Sequence, residues 1–333
     1  MKYFYPKHHS LHKPSVDLSD GLPGYKHLEV ASRVDEILRG LLRAHKADVI
    51  YVESFSDAEV RSIHDDDYVD FLLDISKEIE GDDEYIPPLF REDLSASPLY
   101  FRGGMYCSEI GTPIGKESIK AALNSAQTAL NAAAYMLEEK KSSFVLSRPP
   151  GHHAGKHRYG GYCFFNNAYL AADKLVKSGK KVAVLDIDYH IGDGSLEFAS
   201  ADAPYYSLHA NTQRNYPYLD KNIQIESEFV KLQEFKTGIS GEVYVQNVLS
   251  FVEKALQKPV DVLILSLGFD TLGTDYTQDE YIYVKAENFR TIGEIFGSLQ
   301  QEVMILLEGG YDSDFLELCA YNFMSGFISK KGL

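Results

Sequence analysis

Two residues apart in the segment DIDYHIGDG (186–194), Asp188 and His190 point to the same side of an extended chain. A carboxylate and an imidazole presented together suit a borderline metal ion such as zinc. Alone, this segment reads nearly as well as a strand-end Asp that caps the next helix with a His nearby. Asp270, closing LILSLGFD, supplies a third oxygen ligand and leaves tetrahedral zinc one position open to water and substrate. His152 and His153 stand in tandem within RPPGHHA (148–154). Two adjacent imidazoles, each able to find a carboxylate, are acid–base machinery. Asp186 and Asp193 flank the metal segment and are the natural partners, because a carboxylate on the far nitrogen fixes a histidine's tautomer and raises its basicity. Tyr311 follows Gly309 and Gly310, a pair that permits unusual backbone angles and close approach to a ligand. Its phenol can donate to an oxyanion developing on a carbonyl.

Elements that would position these groups are legible as short β-rich runs alternating with helical stretches. That is the pattern of an α/β fold, a mostly parallel sheet with helices on both faces. The clearest strands, 181–187, 259–268 and 302–310, are apolar throughout and read as buried on both faces. Weaker strands are expected at 47–53, 142–148 and 205–210. Helices are expected at 26–45, 57–80, 116–140, 166–178, 241–257 and 285–300. The stretch over 116–140 is rich in alanine, the best helix former. In an open parallel sheet, ligands bind beyond the carboxyl ends of strands. VAVLDID runs into Asp188 and His190, LILSLGF into Asp270, MILLEGG into Tyr311 and FVLSR into the histidine pair. Four such coincidences at one edge place a single site there. Residues 81–115 and 209–239 lack periodicity, so one domain over 1–333 with two long loops is expected.

The surface chemistry narrows the partners. Lys plus Arg total 33 against 49 acids, a formal charge of −16. Such a surface repels phosphates and suits a cationic substrate. Cys107, Cys163 and Cys319 have neither the number nor the spacing of a disulfide framework. The amino-terminal residues lack a signal-peptide core and no run of 18 apolar residues occurs. A reduced, cytoplasmic protein that engages neither nucleic acid nor membrane is expected.

Taken together, RPPGHHA, GGYCFFNNA (160–168), DIDYHIGDG, SLGFDTLGTD (266–275) and LEGGYD (307–312) resemble the histone deacetylase superfamily over residues 1–325. The loop MYCSEIGTPIG (105–115) looks most like the bacterial acetylpolyamine amidohydrolase branch. The resemblance implies an arginase–deacetylase fold and zinc on Asp188, His190 and Asp270. It implies His152 and His153 as the base and acid pair, bonded to Asp186 and Asp193, with Tyr311 polarising the carbonyl. It also implies a structural potassium ion at Asp186, Asp188, His190, Ser207 and Leu208, mostly through backbone oxygens. Tyr162 falls where the family places an aromatic wall of the acyl-lysine tunnel. With Gly161, Glu109, Gly309 and Gly310 it completes the expected substrate-binding set. The implied substrate is a small acylated amine or acyl-lysine, and a homodimer through the 81–115 loop is expected. Two departures stand out. Ile191 replaces a histidine that usually follows the metal-binding one. Tyr100 and Gly111 stand where polyamine deacetylases carry acids, leaving Glu109 close by.

Two other readings differ in class. A binuclear ureohydrolase needs Asp-x-His-x-Asp and Asp-x-Asp, but here the spacing is Asp188-x-His190-x-x-Asp193, and Thr271 and Leu272 follow Asp270. A non-catalytic acyl-ligand sensor would have lost part of the ligand, histidine and tyrosine set, and all of it is present.

Overall fold

The computed structural model describes residues 1–19, 24–220, 227–279 and 281–332. Eight parallel strands form the central sheet: β1 (Lys2–Pro6), β2 (Val49–Val52), β3 (Ser143–Val145), β4 (Val182–Asp186), β5 (Tyr205–Ala210), β6 (Val230–Phe235), β7 (Val262–Leu267) and β8 (Glu302–Leu307). Their spatial order is β6-β5-β4-β7-β8-β3-β1-β2. The helices are α1 (Ser32–Ala44), α2 (Asp66–Glu78), α3 (Leu99–Tyr106), α4 (Ser118–Glu139), α5 (Asn167–Lys177), α6 (Asp193–Leu196), α7 (Gly241–Ala255), α8 (Asn288–Gly297) and α9 (Leu316–Lys331). Among the described residues, no helix is long and apolar enough to cross a membrane.

Strand alternation divides the core. Leu263, Leu265 and Leu267 of β7 and Val303, Ile305 and Leu307 of β8 pack into one layer with α1, α7, α8 and α9. Val262, Ile264, Met304 and Leu306 face the opposite layer, against the alanines of α4 and α5. Both faces are therefore covered, which is why these strands read as unbroken apolar runs. A third cluster, under α2 and α3, carries the loops beside the site.

The expected strands and helices are present, with ends trimmed by up to nine residues. The helix expected from residue 26 starts at Ser32, because Tyr25–Lys26 pairs antiparallel with Val16–Asp17. The helix expected from 57 starts at Asp66, following a short 3-10 turn at Val60–Ser62. The two stretches expected as irregular loops are corrected. Within 81–115, α3 forms around Gly103 and Gly104, which lie where a side chain would strike Tyr85 and the carbonyl of Leu89. Within 209–239, β6 pairs with β5 over its whole length as the edge strand of the sheet. Residues 221–226 of that stretch lie outside the described residues.

Candidate active site

Neighbouring strands β4, β7, β8 and β3 each release one chemical segment at the same edge. Asp188 and His190 follow β4, Asp270 follows β7, Tyr311 follows β8, and the tandem histidines follow β3. The segments line one cavity of about 630 Å³ that contains His152, His153, Asp188, His190, Asp270 and Tyr311.

At its floor, donor atoms of Asp188, His190 and Asp270 lie within 4.8 Å of one another. His190 Nδ1 is 3.2 Å from Asp270 Oδ2 and 3.4 Å from Asp188 Oδ1. Both carboxylates are fully buried. Main-chain N–H groups hold them in place: His190 and Gly309 donate to Oδ1 and Oδ2 of Asp188 (each 2.8 Å), and Tyr189 donates to Asp270 Oδ1 (3.0 Å). Gly309 is required here, since a Cβ would sit 2.4 Å from Asp270 Oδ2 and 2.7 Å from Asp188 Oδ2. Burial and the adjacent Asp188 charge push the Asp270 carboxyl up to about 8. Burial alone would lower His190, but bonding to Asp188 and Asp270 raises it to about 9. Two buried carboxylates and an imidazole, with donor atoms this close together, form an Asp–His–Asp set whose chemistry fits a divalent cation.

Beside the floor stand two histidine–aspartate pairs. His152 Nδ1 lies 3.0 Å from Asp186 Oδ2, and His153 Nδ1 lies 2.7 Å from Asp193 Oδ1. The two rings are 4.0 Å apart. Their surroundings push them in opposite directions. For His152, the carboxylates of Asp188 and Asp186 outweigh burial and raise it well above its ordinary value. For His153, burial and the neighbouring His152 charge lower it to about 4. Divergence of this kind separates an acid from a base.

Tyr311 is buried, with its ring stacked on the Arg33 guanidinium at 4.4 Å. Burial holds its phenol well above the usual range, so it remains a donor. Gly310, at φ +114°, turns the chain so that Tyr311 faces the cavity. Tyr162 forms a wall, edge-on to Tyr311 at 5.6 Å, and its hydroxyl donates to Asp17. Tyr216 forms another wall, edge-on to His153 at 4.7 Å and bonded to Ser108 Oγ at 2.8 Å.

Every expected catalytic and metal-binding residue is thus brought together. Ser207 sits in register beside Asp186, and Leu208 follows it in β5. Gly161 and Glu109 line the cavity, but the Glu109 carboxylate is occupied by Thr112 Oγ1 and the N–H groups of Gly111 and Gly161. Tyr100 and Gly111, the positions aligned with acids in polyamine deacetylases, are absent from the lining, whereas Asp17 and Asp279 are present. The mouth is therefore more acidic than that alignment implied. Sequence reasoning also passed over Glu308. It accepts from the N–H groups of Gly151 (2.8 Å) and His152 (3.2 Å) and from Ser266 Oγ (2.9 Å), fixing the histidine turn. Its place in LEGGYD, at the end of a buried strand, was an available signal. Arg33 donates to the carbonyls of Gly310 and Glu308 and to Glu29, but in a helix it gave no signal.

The histone deacetylase domain model matches residues 27–327. The acetylpolyamine amidohydrolase of Burkholderia pseudomallei (strain 1710b) is 30% identical over 348 residues, covering 100% of both chains. That of Mycoplana ramosa is 27% identical, covering 98% of this chain and 99% of its own. The crystal structure of acetylpolyamine aminohydrolase from Burkholderia pseudomallei superimposes with a TM-score of 0.90 at 29% identity, over 99% of this chain and 98% of that one. The eight-stranded sheet, its carboxyl-edge site and these similarities lead to one conclusion: the chain belongs to the histone deacetylase family and is an amidohydrolase close to the acetylpolyamine amidohydrolases.

Proposed function

We propose that the protein is a zinc-dependent hydrolase that removes acetyl or related acyl groups from small amines. The observation that carries this reading is one cavity with an Asp–His–Asp cluster at its floor, two histidines of opposite tendency beside it, and a buried tyrosine donor facing it. Asp188, His190 and Asp270 would hold zinc, which when bound supplies Lewis-acid polarisation and a water of lowered pKa. His153 shares Nδ1 with Asp193, leaves Nε2 open and takes the proton from water. His152, oriented through Nδ1 by Asp186, returns a proton to the departing amine. Tyr311 donates its hydroxyl to the substrate oxygen as negative charge develops there. Tyr162 and Tyr216 flank the acyl chain, and the adjacent placement of Asp186 and Ser207 suits the structural potassium.

Acetylpolyamines, acyl-lysine and other small acylated amines are the candidate substrates. Asp17, Glu109 and Asp279 add negative charge to the lining, and exposed Tyr25, Tyr218 and Tyr276 rim it. Acids and aromatic faces both favour a cationic tail. The test is a panel of acetylated polyamines, acyl-lysine peptides and longer-chain acyl amines, with zinc content measured first. Release of free amine by the zinc-loaded protein, fastest for substrates with a distal ammonium, is expected. A zinc-loaded protein inert to the whole panel sinks the reading.

A further inference from the structure

The two histidine–aspartate pairs differ in what stands behind each carboxylate. Behind Asp186 is a neutral group: the Tyr205 hydroxyl donates to Asp186 Oδ2 at 2.7 Å and accepts the Gly192 N–H at 3.0 Å. Behind Asp193 is a cation. Arg158 Nη2 lies 2.9 Å from Asp193 Oδ2 and 3.1 Å from Glu197 Oε1. Asp193 is 3% exposed at its side chain, whereas Arg158 keeps 31%. The guanidinium thus reaches from solvent to the back of a buried carboxylate whose other oxygen holds His153. Its backbone is placed for this by a tight turn, in which Gly155 N–H donates to Arg158 C=O at 2.9 Å. Among the described residues, Arg158 is the only charged partner of Asp193 Oδ2, which has no hydrogen-bond donor of its own.

A carboxylate spanned by an imidazole and a guanidinium has its orientation set from both sides. Its charge is shared with a group that never deprotonates. It accepts the Nδ1 proton without drawing it away, which leaves Nε2 as the open nitrogen. We propose that Arg158 is a positioning residue of the reaction, fixing Asp193 and, through it, the ring orientation and Nδ1–H tautomer of His153. Among the protein groups, Asp186 is held by the neutral Tyr205 hydroxyl and Asp193 by a guanidinium, so the adjacent histidines are supported differently. This inference rests on the amide-hydrolysis reading above.

The test compares three variants of the zinc-loaded protein on its best substrate from the panel. Arg158→Met keeps most of the side-chain stem and removes the charge. Arg158→Lys restores a cation without the planar fork, and Glu197→Gln removes the second ion pair while leaving Asp193 alone. Arg158→Met is expected to lower kcat by about 10- to 100-fold, the usual cost of losing an outer partner. KM should stay within about twofold, because the contact is not to substrate. Arg158→Lys should recover part of the loss, and Glu197→Gln should stay near wild type. A second readout is the downfield proton resonance of the His153 Nδ1–H···Asp193 bond, assigned by its loss in His153→Ala. It should move in Arg158→Met and not in Glu197→Gln. Wild-type kcat in Arg158→Met, an equal loss in Glu197→Gln, or an unmoved resonance overturns the proposal. If the wild-type protein hydrolyses no acyl amide, the parent reading fails, and the resonance still decides whether Arg158 acts on His153.

Discussion

Replacing Tyr311 with Phe isolates a single hydroxyl. The ring is held by contacts that Phe retains: the Arg33 guanidinium at 4.4 Å on its face and the Tyr162 ring at 5.6 Å. The main chain is fixed separately, since Tyr311 N–H donates to Asp275 Oδ2 at 2.6 Å. Among the described residues, no protein group pairs with the phenol oxygen, so deletion leaves no stranded partner. Burial keeps the phenol protonated well beyond neutral pH, so the wild-type group donates throughout the working range. What is removed is one donor to a developing oxyanion, which is expected to cost about 10²- to 10³-fold in kcat, or about 2.7–4 kcal/mol. The assay is kcat and KM on the preferred acyl amide, with zinc content and melting temperature measured on the same preparation. A variant that folds, binds zinc and turns over at close to the wild-type rate would remove Tyr311 from the chemistry and refute the reasoning.

Further perturbations test the scaffold around it. Gly309→Ala places a methyl against Asp270 and Asp188, so zinc content after dialysis should fall while the far-ultraviolet spectrum is kept. Arg33→Met strips the donors from the carbonyls of Gly310 and Glu308 and leaves Glu29 with one guanidinium fewer. Its expected cost is about 3–5 kcal/mol in urea unfolding. Acid should destabilise the protein steeply between about pH 6.5 and 4. Burial lowers His9, His64 and His209 to about 4, so each binds fewer protons folded than unfolded. Stability from each is complete above pH 6.5 and lost as pH falls toward 4, about 3 kcal/mol apiece at about 1.36 kcal/mol per unit. Glu308 and Asp270, raised by burial to about 7 and about 8, work the other way, but His12 and His153, lowered to about 3 and about 4, add to the three histidines. An unchanged urea midpoint between pH 7 and 4.5 would contradict this accounting.

Legibility in the sequence followed burial and continuity. The strands β4, β7 and β8 are covered on both faces, so their apolar runs were unambiguous and their ends located Asp188, Asp270 and Tyr311. The edge strand β6 (VKLQEF) buries only its terminal residues and carries no such run. The α9 helix packs against both α1 and α8, so its apolar residues spread around its circumference and blur the helical period. The strand β1 (KYFYP) is short and only partly buried, so it too carries no unbroken apolar run. In the site, groups adjacent in sequence to strand ends were legible. Groups that arrive from elsewhere were not: Arg33 from α1, Asp17 from a short strand pair and Arg158 from a turn. Their roles depend on contacts more than 30 residues away, which local periodicity does not encode.

The acids of the site explain why these distant groups are needed. Asp186, Asp188, Asp270 and Glu308 are all fully buried at the carboxyl ends of three neighbouring strands. Concentrating four carboxyl groups there is unfavourable unless each finds donors or positive charge. Main-chain N–H groups meet all four: Asp188 N–H for Asp186, those of His190 and Gly309 for Asp188, Tyr189 for Asp270, and Gly151 with His152 for Glu308. Dipoles of that kind do not cancel the charge between Asp188 and Asp270, and burial together with the Asp188 charge holds the Asp270 carboxyl well above the usual carboxylate range. Two protons, one on Asp270 and one on His190, would neutralise the cluster but would block the same oxygens and nitrogen from acting as ligands. A divalent cation removes both penalties at once. On the zinc reading proposed above, the cluster would be best satisfied with the metal bound, and metal affinity and folding stability would be set by the same three strands.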